Sequence, residues 1–146
     1  MAKIKFKIVT PERVVLEQEV DQVTLPTKEG EITVLLNHIP LISILQPGEI
    51  IAKDGDKEFY FAISSGFLEV RKNEVIVLTE TAEHSHEIDE TRAEEAKTRA
   101  EKLLQESKNK EEVDYTGLAA NLEKELARLR VVRKRKHTHQ PTIENQ

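Results

Sequence analysis

The sequence predicts a β-sandwich of short strands followed by an antiparallel α-helical hairpin, and three observations carry that expectation. Up to about residue 84, apolar residues mostly recur at every second position, the period of a half-buried strand. From Ile88 onward they recur at three and four, the period of a helix with one buried stripe. Turn residues punctuate the first part at close spacing, as a sandwich or flattened barrel of many short strands requires. The switch divides the chain into residues 1–84 and 85–146.

Within the first part, Ile4, Phe6 and Ile8 alternate with Lys3, Lys5 and Lys7, a strand with one wet face. Thr10-Pro11-Glu12 forms a turn, because proline presets the backbone angle there. Val14–Leu16 and Val20–Leu25 read as strands that Pro26 ends. Gly30 opens a strand in which Ile32, Val34 and Leu36 share a face, and Asn37-His38-Ile39-Pro40 breaks it into a loop. Leu41–Leu45 reads as a buried run, closed by Gln46-Pro47-Gly48. Ile50–Ala52 leads to Asp54-Gly55, a hairpin signal, and the return strand sets Phe59, Phe61 and Ile63 against Glu58, Tyr60 and Ala62. Ser64-Ser65-Gly66 turns into Phe67–Val70, and Lys72-Asn73-Glu74 turns into Val75–Leu78.

The second part begins at Asp89, whose carboxylate is placed to cap the orphan amides of a first helical turn. Ala93, Ala96, Ala100, Leu103, Leu104 and Ser107 then form a stripe of mostly small residues that allows close helix approach. Ser107–Asp114 lacks an apolar stripe and reads as a loop, after which Asp114 caps a second helix with a seam of Leu118, Leu122, Leu126 and Leu129. The tail from about His137, which contains Pro141, is expected to be disordered.

Charge is segregated along the hairpin. Glu83–Asp114 holds six basic and eleven acidic residues, whereas Tyr115–Gln146 holds seven basic and three acidic. Arg128, Arg130, Arg133, Lys134, Arg135 and Lys136 make a cationic tip with no acid among them. Such a tip suits an acidic protein, a membrane surface or a nucleic acid, and cations also favour the C-terminal end of a helix dipole on their own account. Nucleic acid is the weakest of these partners, since the net charge is −5 and no aromatic residue interrupts the basic run.

Composition excludes several chemistries. No cysteine is present, so disulfides, thiolate metal sites and cysteine nucleophiles are absent. His84 and His86, like His137 and His139, are spaced by one residue and lack partners that would complete a metal site, so no metal is expected. No phosphate loop, dinucleotide fingerprint or nucleophile triad appears, and an enzyme is not expected. No apolar run reaches the ~18 residues of a membrane span, so a membrane role has to come through partners. Arg92 and Arg99 lie seven apart on one helix face, either bridging to Glu95 or gripping an anion.

The motifs Thr10-Pro11-Glu12-Arg13-Val14-Val15, Gly30-Glu31-Ile32-Thr33-Val34-Leu35, Asn37-His38-Ile39-Pro40-Leu41 and Gly66-Phe67-Leu68-Glu69-Val70 resemble the ε subunits of bacterial F-type ATP synthases, in order and spacing, along residues 1–104. The resemblance implies a ten-stranded sandwich that binds the γ subunit and the ring of c subunits, with Glu31, His38 and Ile39 in the interface. It implies a hairpin that either folds on the sandwich or extends toward the catalytic α and β subunits. There Arg128, Arg130, Arg133 and Lys134 would restrain ATP hydrolysis. Ile88, Asp89, Arg92 and Ala93 match the nucleotide motif of some members, and Glu83 and Arg99 fall where such members also contact ATP. Leu122 and Leu126 stand nearest the second-helix arginines of that site, so the resemblance assigns no ligand there. Leu36 and Ser65 replace a usual proline and a usual glycine. The implied protein is a rotor subunit coupling proton flow to ATP synthesis, peripheral to the cell membrane on its cytoplasmic side. It needs no cofactor, takes ATP at most as a regulator and binds no nucleic acid. The contrasting expectation is a free-standing module that uses its basic tip on a nucleic acid or an anionic membrane.

Overall fold

The structure is a computed structural model that describes residues 2–107 and 114–138. Among the described residues ten strands come first: β1 (Ile4–Val9), β2 (Val14–Val20), β3 (Gln22–Thr27), β4 (Gly30–Leu35), β5 (Leu41–Leu45), β6 (Gly48–Asp54), β7 (Lys57–Ile63), β8 (Gly66–Arg71), β9 (Glu74–Thr79) and β10 (Ala82–His84). A single 3-10 turn, Ser85–Glu87, leads to α1 (Glu90–Ser107) and α2 (Tyr115–Thr138).

The strands form two layers. One runs β2-β1-β9-β8-β5 and the other β4-β3-β6-β7-β10, and the layers join where Thr27 of β3 pairs with Leu45 of β5. Strand β1 pairs parallel with β9 and antiparallel with β2, which closes the first layer around Phe6. The alternation of the sequence becomes the core directly. Ile4, Phe6 and Ile8 from one side meet Phe61 and Ile63 from the other, and the Phe6 and Phe61 rings cross edge to face at 6.4 Å. Gly66 is fixed by space rather than by turn geometry, since a Cβ there would lie 2.1 Å from the Leu78 carbonyl oxygen.

Five expectations change. Pro26 lies inside β3 rather than ending the strands, pairing with Glu31 while its carbonyl accepts from Gln46 N at 2.9 Å. A proline forgoes only the donor, and this end of the ladder uses its acceptor. Leu41–Leu45 is not a buried run: Leu45 is buried, but Ile42 is 78% exposed and Ile44 also faces outward, because β5 is covered on one face only. On α1, Leu103 is exposed while Ala93, Ala100 and Ser107 are buried. On α2 the leucine seam gives way to a broader face, with Glu125, Ala127, Leu129, Val131 and Val132 buried. That face is broad because α2 packs on α1 and on β6 and β7 at once. Helix α2 also continues through His137 to Thr138, and the remaining tail lies outside the described residues, as do residues 108–113.

Both predicted caps form. Asp89 Oδ1 accepts from Arg92 N at 3.2 Å, and Asp114 Oδ1 accepts from Gly117 N at 2.9 Å. Ser65 has no left-handed backbone; among the described non-glycine residues that conformation belongs to Asn37, Lys72 and Asn73.

Candidate functional site

Two surfaces stand out, one on the sandwich and one at its joint with the hairpin. On the sandwich, register aligns apolar residues that face away from the core. Ile44 pairs with Phe67, Phe67 with Leu78, Leu78 with Val9, and Val9 with Val14, forming a row across β5, β8, β9, β1 and β2. Phe67 is 59% exposed, and Val14, Ile44 and Leu78 are exposed with it. An open groove of ≈ 610 Å³ follows this row, lined by Val9, Pro11, Ile44, Phe67 and Leu78 among others. Leu35, Leu36, Ile39 and Ile42 extend the apolar area past the loop after β4. An aligned row of exposed apolar residues differs from the single scattered ones of an ordinary surface.

The loop itself is held in shape. Asn37 takes a left-handed backbone and donates its N–H to Asn73 Oδ1 at 2.6 Å, while His38 N donates to Leu35 O at 3.2 Å. His38 Nδ1 contacts the Ile39 carbonyl at 2.6 Å, and Ile39 is 75% exposed. Glu31 is also exposed. Sequence reasoning named Glu31, His38 and Ile39 but missed Ile42, Ile44, Phe67 and Leu78. The signal was present: Leu68 and Val70 claim the core side of β8, which leaves Phe67 on the other.

At the joint, Arg128 reaches from α2 to the sandwich. Its Nε donates to Glu83 Oε2 and its Nη1 to Glu125 Oε2, both at 2.7 Å. Glu125 is only 6% exposed. Burial works against the charge on Arg128, but the two carboxylate hydrogen bonds outweigh it and hold the guanidinium above its ordinary pKa. Nearby, Lys134 Nζ binds Glu49 Oε1 at 2.6 Å, and Arg135 Nη1 donates to Ser85 O at 2.5 Å. Beneath these polar contacts Ile88 and Ala93 pack with Ala62, Ala127 and Val131.

The predicted tip is therefore divided. Arg128 and Lys134 are engaged against the sandwich, whereas Arg130 and Arg133 are exposed. The predicted nucleotide set is divided too. Ile88 and Ala93 are buried packing residues and Asp89 is a cap with Arg92 Nε at 3.9 Å, while Arg92 and Arg99 are exposed on α1. Glu83 is paired with Arg128 of α2, and Leu122 and Leu126 are half-buried on that helix. Among the described residues no cluster of potential metal ligands occurs, and no helix is long and apolar enough to cross a membrane.

Residues 3–85 match the family model for the ATP synthase delta/epsilon chain β-sandwich domain, and residues 86–133 match the long α-helix domain of the same chain. The chain belongs to the ATP synthase epsilon-chain family. Among epsilon chains, that of Herpetosiphon aurantiacus is 42% identical over 134 residues, covering 92% of this chain and 97% of that protein. The epsilon chain of Dehalococcoides mccartyi is 45% identical over 136 residues, covering 93% of this chain and 96% of that protein. A chain in the cryo-EM structure of the Euglena gracilis mitochondrial ATP synthase, OSCP/F1/c-ring, superposes with a TM-score of 0.74 at 25% identity. It covers 94% of this chain and 83% of that one. As a member of the epsilon-chain family, the protein is a non-catalytic stalk subunit of ATP synthase.

Proposed function

We propose that the sandwich grips the γ subunit and the ring of c subunits, and that the hairpin is a movable brake on ATP hydrolysis. The observation that carries the first half is the outward apolar row Ile44, Phe67 and Leu78, continuous with the pinned loop bearing His38 and Ile39. A rotor subunit transmits torque, so it needs a broad, shape-complementary grip, and buried apolar anchors supply most interface energy. Glu31, His38 and Ile39 belong to the end of this surface that meets the c-ring. Membrane attachment then comes through the complex, on the cytoplasmic side of the cell membrane.

The brake would work by presenting Arg128, Arg130, Arg133 and Lys134 of an extended α2 to an acidic surface of the catalytic β subunit. Supporting it is the double use of Arg128 and Lys134, which are held by sandwich carboxylates while the hairpin is folded. The two positions of the hairpin therefore compete for the same cations.

Assembly is tested by recovering the tagged chain from solubilised membranes. Phe67→Asp should reduce recovery of γ and the c-ring by about tenfold or more with the fold intact, as loss of a central interface aromatic does. His38→Glu should give a smaller loss. Recovery of nucleic acid with neither subunit would overturn the stalk assignment.

A nucleotide is a second reading, favoured by Arg92 and Arg99, exposed seven apart on one face of α1. ATP bound there would stabilise the folded hairpin by its preference for that state. Titration calorimetry of the full chain at millimolar ATP should give saturable heat that Arg92→Ala and Arg99→Ala remove. No heat from the parent chain dismisses the site.

A further inference from the structure

The 3-10 turn between sandwich and hairpin is held by a histidine acting as a hydrogen-bond acceptor. His84 Nδ1 accepts from His86 N at 3.3 Å, and Glu87 Oε2 accepts from His84 N at 3.2 Å, so the turn is closed from both ends. The His84 ring stands edge-on to Phe61 at 4.8 Å and lies 4.0 Å from the His86 ring. Ser85 within the turn is buried, and its carbonyl is the anchor for Arg135 of α2.

A proton on His84 has few favourable neighbours. Its own turn offers His86, a like charge when protonated, and Glu87, whose carboxylate is on Arg13 of the β1–β2 turn at 2.9 Å. Strand β10 offers Glu83, already bound by Arg128. Helix α2 brings Arg128 and Arg135, both cations, and β7 packs the rings of Phe59 and Phe61 against it. Protonation therefore removes the acceptor from the cap and places a charge on a half-buried ring whose adjacent carboxylates, Glu83 and Glu87, already hold Arg128 and Arg13.

We propose that His84, with His86 beside it, is a pH-sensitive joint that holds the hairpin on the sandwich near and above neutrality and releases it in acid. Burial first, and then the His86 charge, hold His84 below its ordinary pKa in the docked form. An undocked joint would titrate near the ordinary value of about 6.5. The docked form thus binds fewer protons, so this contribution to docking is complete above that value and is lost as the pH falls through the lowered one. The hairpin carries its regulatory meaning from the proposed function, but docking is measured directly.

The chain has no cysteine, so Lys57→Cys on β7 and Glu123→Cys on α2, both exposed sites, accept spin labels on the full chain without background. The label distance should be short at pH 8 and gain a long population as the pH falls toward 5, with a midpoint below about 6.5. His84→Gln should abolish that shift. His86→Gln, which removes a charge that lowers His84 in the docked form, should narrow the gap between the two forms and move the midpoint to lower pH. Should H84Q be undocked even at pH 8, H84N, whose amide oxygen accepts from the same N–H, takes its place. An unchanged transition in the non-titrating variant overturns the joint, as does a parent chain that stays docked to pH 5. Undocking by Arg128→Gln at pH 8, with none in the parent at pH 5, sinks the histidine proposal and leaves the movable hairpin standing. If R128Q also stays docked, the movable hairpin fails as well.

Discussion

Gly66 illustrates how a single residue couples the core to the working surface. It opens β8 immediately before Phe67, and its missing side chain lets the Leu78 carbonyl pass at a distance no Cβ tolerates. The obstacle is backbone, not the end of a flexible side chain, so Gly66→Ala has to spread β8 from β9. We expect a loss of about 1–3 kcal/mol in urea unfolding, the usual range for overpacking. Weaker γ recovery should accompany it, since Phe67 and Leu78 are partners across that pair of strands. The Gly66 constraint was invisible in the sequence, where Ser64-Ser65-Gly66 reads as an ordinary turn. By contrast Asp89 and Asp114 were legible as caps, because capping depends on the next three residues alone.

Among the elements, α2 is the one whose role the sequence disguised. Periodicity predicts a narrow leucine seam, yet the helix is buried on two sides, by α1 and by β6 and β7. A local pattern reports that a helix has an apolar side; it does not report how many partners share it. The same limit hid the Glu83–Arg128 contact, which joins residues 45 apart. Carboxylate hydrogen bonds to a charged donor contribute about 1.5–3 kcal/mol each, so this junction outweighs the exposed pairs of α1. Glu83→Gln should loosen the folded hairpin while keeping every cation, and so lower ATP hydrolysis by the assembled enzyme. Arg128→Gln should loosen it and also remove a contact to the target, giving weaker inhibition than Glu83→Gln. Removing residues from Leu118 onward should leave assembly and synthesis intact and raise hydrolysis. Equal hydrolysis by all three enzymes and the parent would mean that the hairpin is not a brake.

In the whole molecule, the order of packing is sheet, then α2, then α1, although α1 comes first in the chain. The two-part architecture was readable from the change of period near residue 84, because burial on one face imposes period directly on sequence. The outward apolar row was not, since Ile42 and Ile44 look like core until the sheet is folded and one face is left uncovered. Folding also decides how this protein responds to ions. Arg128 and Lys134 rest on carboxylates of the sandwich, and in the proposed brake they would rest on carboxylates of a partner. Dissolved salt screens attractions of both kinds, the exposed more than the buried. In the proposed brake, raising the ionic strength would free the arm and blunt its grip in the same stroke. A rotor carrying such an arm is buffered against the salinity of its surroundings, and its setting is left to signals that distinguish one resting place from the other.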